Sequence, residues 1–150
     1  MSIKVIATNR KAYHNYTILD TFETGIALNG SEIKSIRDNR VSLVQSYVKP
    51  ENGELWLINA HIARYEAASY MSHEPTRTRK LLMHRRQIAD IIARVAEKGL
   101  TLLPLRLYLK DSIAKLEIGL ARGKKQHDKR EAIMERETER EIGRQLRKRG

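Results

Sequence analysis

The sequence predicts a mainly β protein with helices: a small closed antiparallel barrel of five to six strands, two to three flanking helices and a basic C-terminal tail. Three observations lead there. Several segments alternate apolar and polar residues at the period of a strand, two others have the spacing of a helix, and no strand–helix–strand rhythm of a parallel sheet runs through the chain. With 150 residues and 41% hydrophobic content, the chain is long enough for one domain with a real core.

The stretch "YTILDTFETGIAL" (16–28) is rich in β-branched and aromatic residues, with Tyr16, Ile18 and Phe22 at even spacing. It reads as a long strand that bends at Gly25. Asn29-Gly30 stops it, and Ser31 is the expected N-cap of a short helix, "EIKSIRDN". Glu32 falls in the first turn, where a negative charge meets the positive end of the helix dipole. Ile33 and Ile36 are expected toward the core, with Lys34 and Arg37 sharing another face.

"SYVKPENGELWLINAHIARY" (46–65) has two apolar runs about Glu51-Asn52-Gly53, the signal of a hairpin. "SYMSHEPTRTRK" (69–80) has no periodicity and is expected as a loop. From His84, the series Ile88, Ile91, Ile92 and Val95 predicts a helix, and Gly99 supplies its left-handed end. "LTLLPLRLYL" and "IAKLEIGLA" return to strands, joined at Asp111-Ser112; Ala114, Leu116, Ile118 and Leu120 form a dry face opposite Lys115, Glu117 and Gly119. For a basic chain of this size, such a strand set points to a barrel of the oligonucleotide-binding type.

Charge sets the partner class. The chain carries 29 Lys and Arg against 18 Asp and Glu, a net +11, which attracts polyanions. The excess is uneven: residues 122–150 hold 11 basic and 6 acidic residues. The chain therefore divides into a body, 1–123, and a basic tail, 124–150. In the tail, like charges recur four residues apart, as in Glu131–Glu135, Arg136–Arg140 and Arg140–Arg144. Each such pair opposes a helix by a few tenths of a kcal/mol. The expectation is a tail disordered alone and helical on a polyanion.

Other chemistries are excluded. There is no cysteine, so neither a disulfide nor a thiolate metal site can form. No signal-peptide run opens the chain, and no apolar run approaches the roughly 18 residues of a membrane span. His14, His61, His73, His84 and His127 are scattered, without metal-ligand spacing. The expectation is a cytoplasmic monomer that is not an enzyme, with no catalytic residues, no metal, no cofactor and no membrane contact. "NRKAYHNY" (9–16) instead mixes cations for phosphates with Tyr and His faces for unpaired bases, a combination that suits folded RNA. "RTRKLLMHRR" (77–86) adds a second basic run.

In order, "NRKAYHNYTILDTFETGIALNGSEIKSIR", "GELWLINAHI", "PTRTRKLLMHRRQI" and "KGLTLLPLRLYLKDSIAKLEIGLARGKKQHDKRE" resemble the SsrA-binding protein family (small protein B), and "GKKQHDKR" is the most specific segment. The chain departs from the family's pattern at Gln45, at Ser72 and after Arg130. The resemblance implies an oligonucleotide-binding-type barrel that is not an enzyme. It implies binding to the tRNA-like domain of tmRNA and delivery to the vacant A site of stalled ribosomes in trans-translation. The tail then enters the decoding centre and mRNA channel, where it is helical. Elongation factor Tu is implied as an indirect partner, through charged tmRNA. Carried over by position, the tmRNA-binding residues are Asn9, Arg10, Lys11, Glu32, Lys34, Ser35, Arg37 and Lys124. Glu32 would accept bonds from base edges or orient neighbouring cations. His127, Asp128, Lys129 and Arg130 would meet ribosomal RNA in the decoding centre.

Overall fold

The structure is a computed structural model that describes residues 2–65 and 73–124. In chain order the elements are β1 (Ile3–Thr8), α1 (Arg10–Asn15), β2 (Tyr16–Ile26), α2 (Gly30–Arg37), β3 (Val41–Ser42), β4 (Tyr47–Glu51), β5 (Glu54–Ile58), β6 (His61–Ile62), β7 (Arg79–Leu82), α3 (Arg85–Lys98), β8 (Thr101–Lys110) and β9 (Ile113–Gly123).

Six antiparallel strands pair in a ring, β8-β4-β5-β7-β2-β9 and back to β8. The expected closed barrel is therefore present, and closure removes the free edges an open sheet would leave. The β4–β8 seam is the thinnest, registered at Val48 against Leu102. Beyond it β1 continues along the same edge of β8, from Ile3 opposite Lys110 to Thr8 opposite Arg106. A two-stranded ladder, β3 with β6, stands apart from the main sheet.

Both hairpins form through left-handed turn residues. Asn52 (φ 53°) and Gly53 (φ 75°) join β4 to β5. Asp111 (φ 49°) and Ser112 (φ 72°) join β8 to β9. Positive φ at both turn positions matches the twist of the paired strands. Gly99 (φ 61°) ends α3 as expected.

The barrel is filled by Val48, Leu55, Leu57, Leu81, Leu102, Leu107, Leu116, Ile118 and Leu120, with Ile36 of α2 and Ile88 and Ile91 of α3 in the same cluster. A second cluster joins Ala12 of α1 to Leu103, Leu105 and Ala121, with Tyr16 and Ile18 packed against it. Bulges make this possible. Register shifts occur between Ile18 and Asp20 on β2 and between Pro104 and Arg106 on β8. Each inserts one residue, Leu19 or Leu105, and re-aims the strand beyond it. One stretch of β8 thus feeds Leu102 and Leu107 to the barrel and Leu103 and Leu105 to α1. Pro104, with no N–H to donate, sits at the bulge.

Three elements differ from the sequence expectation. "NRKAYHNY" contains a helical turn, α1; residues 3–8 form a strand; and Arg79–Leu82, whose first two residues were expected in a loop, forms β7 between β5 and β2. β7 needs few residues because both neighbouring strands supply its ladder.

Candidate nucleic-acid interface

Asn9 builds the first part of the site. Its Oδ1 accepts from the Ala12 N–H (3.3 Å), its Nδ2 donates to the Pro104 carbonyl (2.9 Å) and its N–H donates to the Leu105 carbonyl (2.8 Å). One buried amide thus caps α1 and ties it to the β8 bulge. Asn9, expected among RNA-contacting residues, is spent on this scaffold, while Arg10, Lys11 and Tyr13 are exposed on α1.

Helix α2 starts two residues earlier than expected, with Asn29 rather than Ser31 at its N-cap. Glu32 occupies the third helical position, and its Oε1 accepts from the Asn29 N–H (2.8 Å), the reverse arm of a capping box. Ser31 instead meets Nδ1 of His73 at 2.9 Å, and His73 Nε2 lies 2.7 Å from the Ile62 carbonyl. Ile36 reaches the core as expected, whereas Ile33 is only half-buried.

Glu32 is fully buried, and so is Arg79. Arg79 Nε donates to Glu32 Oε2 (2.6 Å), and its Nη1 and Nη2 donate to the carbonyls of Ala60 (2.8 Å) and Pro75 (3.0 Å). Arg77 adds Nη2 to Glu32 Oε1 (2.6 Å) and Nε to Oε2 (3.3 Å). Burial pushes the Glu32 carboxyl up, but the bonds from Arg77, Asn29 and Arg79 outweigh it and hold it below the usual carboxylate range. Burial also lowers Arg79, against the opposing pull of Glu32.

The geometry corrects the sequence expectation in three ways. Buried Glu32 has both oxygens committed and offers nothing to a base edge; the orienting role is the one its contacts allow. Ser35 is also fully buried, so it cannot touch RNA in this conformation. Arg79 is no part of a solvated basic run. The clue was available: Arg77, Arg79 and Leu81 alternate at strand spacing, and Arg79 and Leu81 are both completely enclosed.

Lys34 and Arg37 are exposed on α2, and Lys34 Nζ lies 5.3 Å from the centre of the Tyr65 ring. Lys124 is exposed at the end of the body, its N–H donating to the Asn15 carbonyl (3.3 Å). His127, Asp128, Lys129, Arg130 and the rest of the tail lie outside the described residues.

Several charges on the outside of the barrel are paired. Arg106 pairs with Glu117 (3.1 Å) and lies over the Tyr108 ring; the Tyr108 hydroxyl donates to Glu23, which also pairs with Lys110 (3.3 Å). Arg94 pairs with Asp20, Lys80 with Glu54 and Lys49 with Glu51. Among the described residues, Arg10, Lys11 and Arg37 make no ion pair, and Lys34 faces only a ring. The cations free to meet an external anion therefore include those of α1 and α2.

The model of the SmpB protein family matches residues 6–148. An SsrA-binding protein of Dehalococcoides mccartyi is 57% identical over 141 residues, covering 94% of this chain and 82% of its own. That of Carboxydothermus hydrogenoformans is 56% identical over 146 residues, covering 97% and 98%. A chain of the solved structure described as "tmRNA-SmpB: a journey to the center of the bacterial ribosome" aligns over 96% of both chains, at 43% identity and a TM-score of 0.68. A family match over nearly the whole length, on a barrel with free cations on its helices, leaves one conclusion: the chain belongs to the SmpB protein family.

Proposed function

We propose that this protein binds the tRNA-like domain of tmRNA and delivers it to the vacant A site of stalled ribosomes in trans-translation. The observation that carries the reading is the set of cations on α1 and α2: among the described residues Arg10, Lys11 and Arg37 make no ion pair, and Lys34 faces only a ring. Arg10, Lys11, Lys34, Arg37 and Lys124 are the contacting cations. Asn9 and Glu32 are positioning residues, holding α1 on the bulge and α2 on β7, and Ser35 supports α2 from within. The protein acts in the cytoplasm as a monomer and a binder rather than an enzyme; elongation factor Tu meets it through the charged RNA.

The body, 1–123, supplies RNA affinity, and the tail, 124–150, supplies ribosomal accommodation. His127 stacks on a ribosomal base, Lys129 and Arg130 contact phosphates, and Asp128 orients them. Truncation after Gly123 is expected to abolish tagging of stalled chains while keeping tmRNA affinity within tenfold of the full chain. A larger loss, worth more than about 1.4 kcal/mol, would move the specific surface into the tail.

A further inference from the structure

We propose that the groove between α1 and the loop before β4 is a binding site for one unpaired nucleobase. This deepens the RNA-binding reading and rests on it. The groove encloses about 460 Å³, a size within the usual range for small-molecule sites of about 300–1,000 Å³. Its polar and aromatic lining includes Lys11, Asn15 and Tyr16 around α1, Gln45 on the loop, Tyr47 at the start of β4 and Thr101 at the start of β8.

The chemistry of these side chains is specific. Among the described residues, neither the amides of Asn15 and Gln45 nor the hydroxyls of Thr101 and Tyr47 have a hydrogen-bond partner. An amide offers a donor and an acceptor side by side, the complement of a base edge. Tyr47 offers an aromatic face to an unstacked base, the Tyr16 ring forms part of the wall, and Lys11 offers a cation to its phosphate. Ala12, Val44 and Leu103 add an apolar part that suits the faces of a base, and a pure phosphate site would want several cations where this lining has Lys11.

The scaffold is rigid where it needs to be. Asn9 and Ala12 fix α1 against Pro104 and Leu105, and Ser46 Oγ donates to the Leu43 carbonyl (2.6 Å), tightening the loop that carries Gln45. The Tyr16 ring packs against Gly123, where a Cβ would lie 3.2 Å from its Cε2, so the missing side chain leaves room for the ring. By contrast, Tyr47 is 42% exposed and is free to stack.

The test uses the full chain and two probes. In the first arm, the side-chain amide signals of Asn15 and Gln45 are followed by NMR as the four nucleoside 5′-monophosphates are added, with ribose 5-phosphate as control. At least one nucleotide is expected to shift both amides while ribose 5-phosphate does not, and Tyr47→Ala is expected to abolish the shift. No shift, or equal shifts with ribose 5-phosphate, overturns the proposal. In the second arm, Tyr47→Ala and Gln45→Ala, each checked for an unchanged melting temperature, are titrated with tmRNA. Tyr47→Ala is expected to lose about tenfold in affinity, near the lower bound for one stacked base, with the salt slope unchanged. Unchanged affinity in both variants, with the parent chain binding tmRNA normally, overturns the groove and leaves the proposed function standing. If the parent chain does not select tmRNA, the proposed function fails, and the first arm still decides the groove.

Discussion

Arg79 Nε and Glu32 Oε2 lie 2.6 Å apart with both side chains enclosed, so a strand and a helix are joined by a charge pair that water does not reach. Such a pair gives little net stability over an apolar substitute, because desolvation offsets the attraction. Removing one partner is different, since it strands the other charge.

Arg79→Ala is therefore expected to destabilise the fold by about 3–5 kcal/mol, measured by urea unfolding. Arg77→Ala, whose partner keeps Arg79, should cost clearly less. Equal costs would mean that Arg77, and not burial of the Arg79–Glu32 pair, carries the link between α2 and β7.

The same pair predicts a response to acid. The folded Glu32 carboxyl is held below its ordinary value of 4.5. Its contribution is then present above the unfolded value and is lost as pH falls toward the folded one. Unfolding free energy should drop below about pH 4.5, and the drop should be shallower in Glu32→Gln, which no longer titrates there. Parallel acid profiles would show that other carboxylates dominate.

Tyr108→Phe removes the hydroxyl that donates to Glu23, whose carboxyl is lowered first by that bond and then further by Lys110. The expected stability loss is about 1 kcal/mol, with the Glu23 carboxyl moving up by NMR titration. Affinity for tmRNA should not change, because the Tyr108 hydroxyl is committed to Glu23 and lies outside the proposed contacts.

Gly119 allows β9 to pass close to the bulge on β8. A Cβ there would sit 2.8 Å from Leu105 Cδ1 and 3.2 Å from its Cγ. Gly119→Ala is expected to cost about 1–3 kcal/mol through overpacking, and adding Leu105→Val should recover part of it. An additive double variant would place the strain elsewhere.

Lys34→Ala should weaken tmRNA binding and make the log affinity versus log salt slope shallower by about 0.9 or less, one phosphate contact's worth. Tyr108→Phe, outside the proposed contacts, should leave the slope alone. An unchanged slope in Lys34→Ala would mean that its charge serves the Tyr65 ring rather than a phosphate.

By itself the sequence determined the elements whose signals are local. The Asn52-Gly53 turn, the alternation of Leu116, Ile118 and Leu120, and the spacing of Ile88 and Ile91 ending at Gly99 were all legible, because turn geometry and periodicity are written in neighbouring residues. Net charge and the "GKKQHDKR" segment pointed to RNA and to the family without any knowledge of the fold. Only the tertiary structure decided the rest. β7 exists because β5 and β2 supply its partners, not because its residues favour a strand. The Leu19 and Leu105 bulges turn β2 and β8 each toward two cores, and no local pattern announces them. Most of all, Glu32, Arg77 and Arg79 looked alike as surface charge, yet two of them are enclosed. Their meeting spans more than forty positions of chain, so only closure of the barrel could show which charges stay free on the surface and which hold α2 in place.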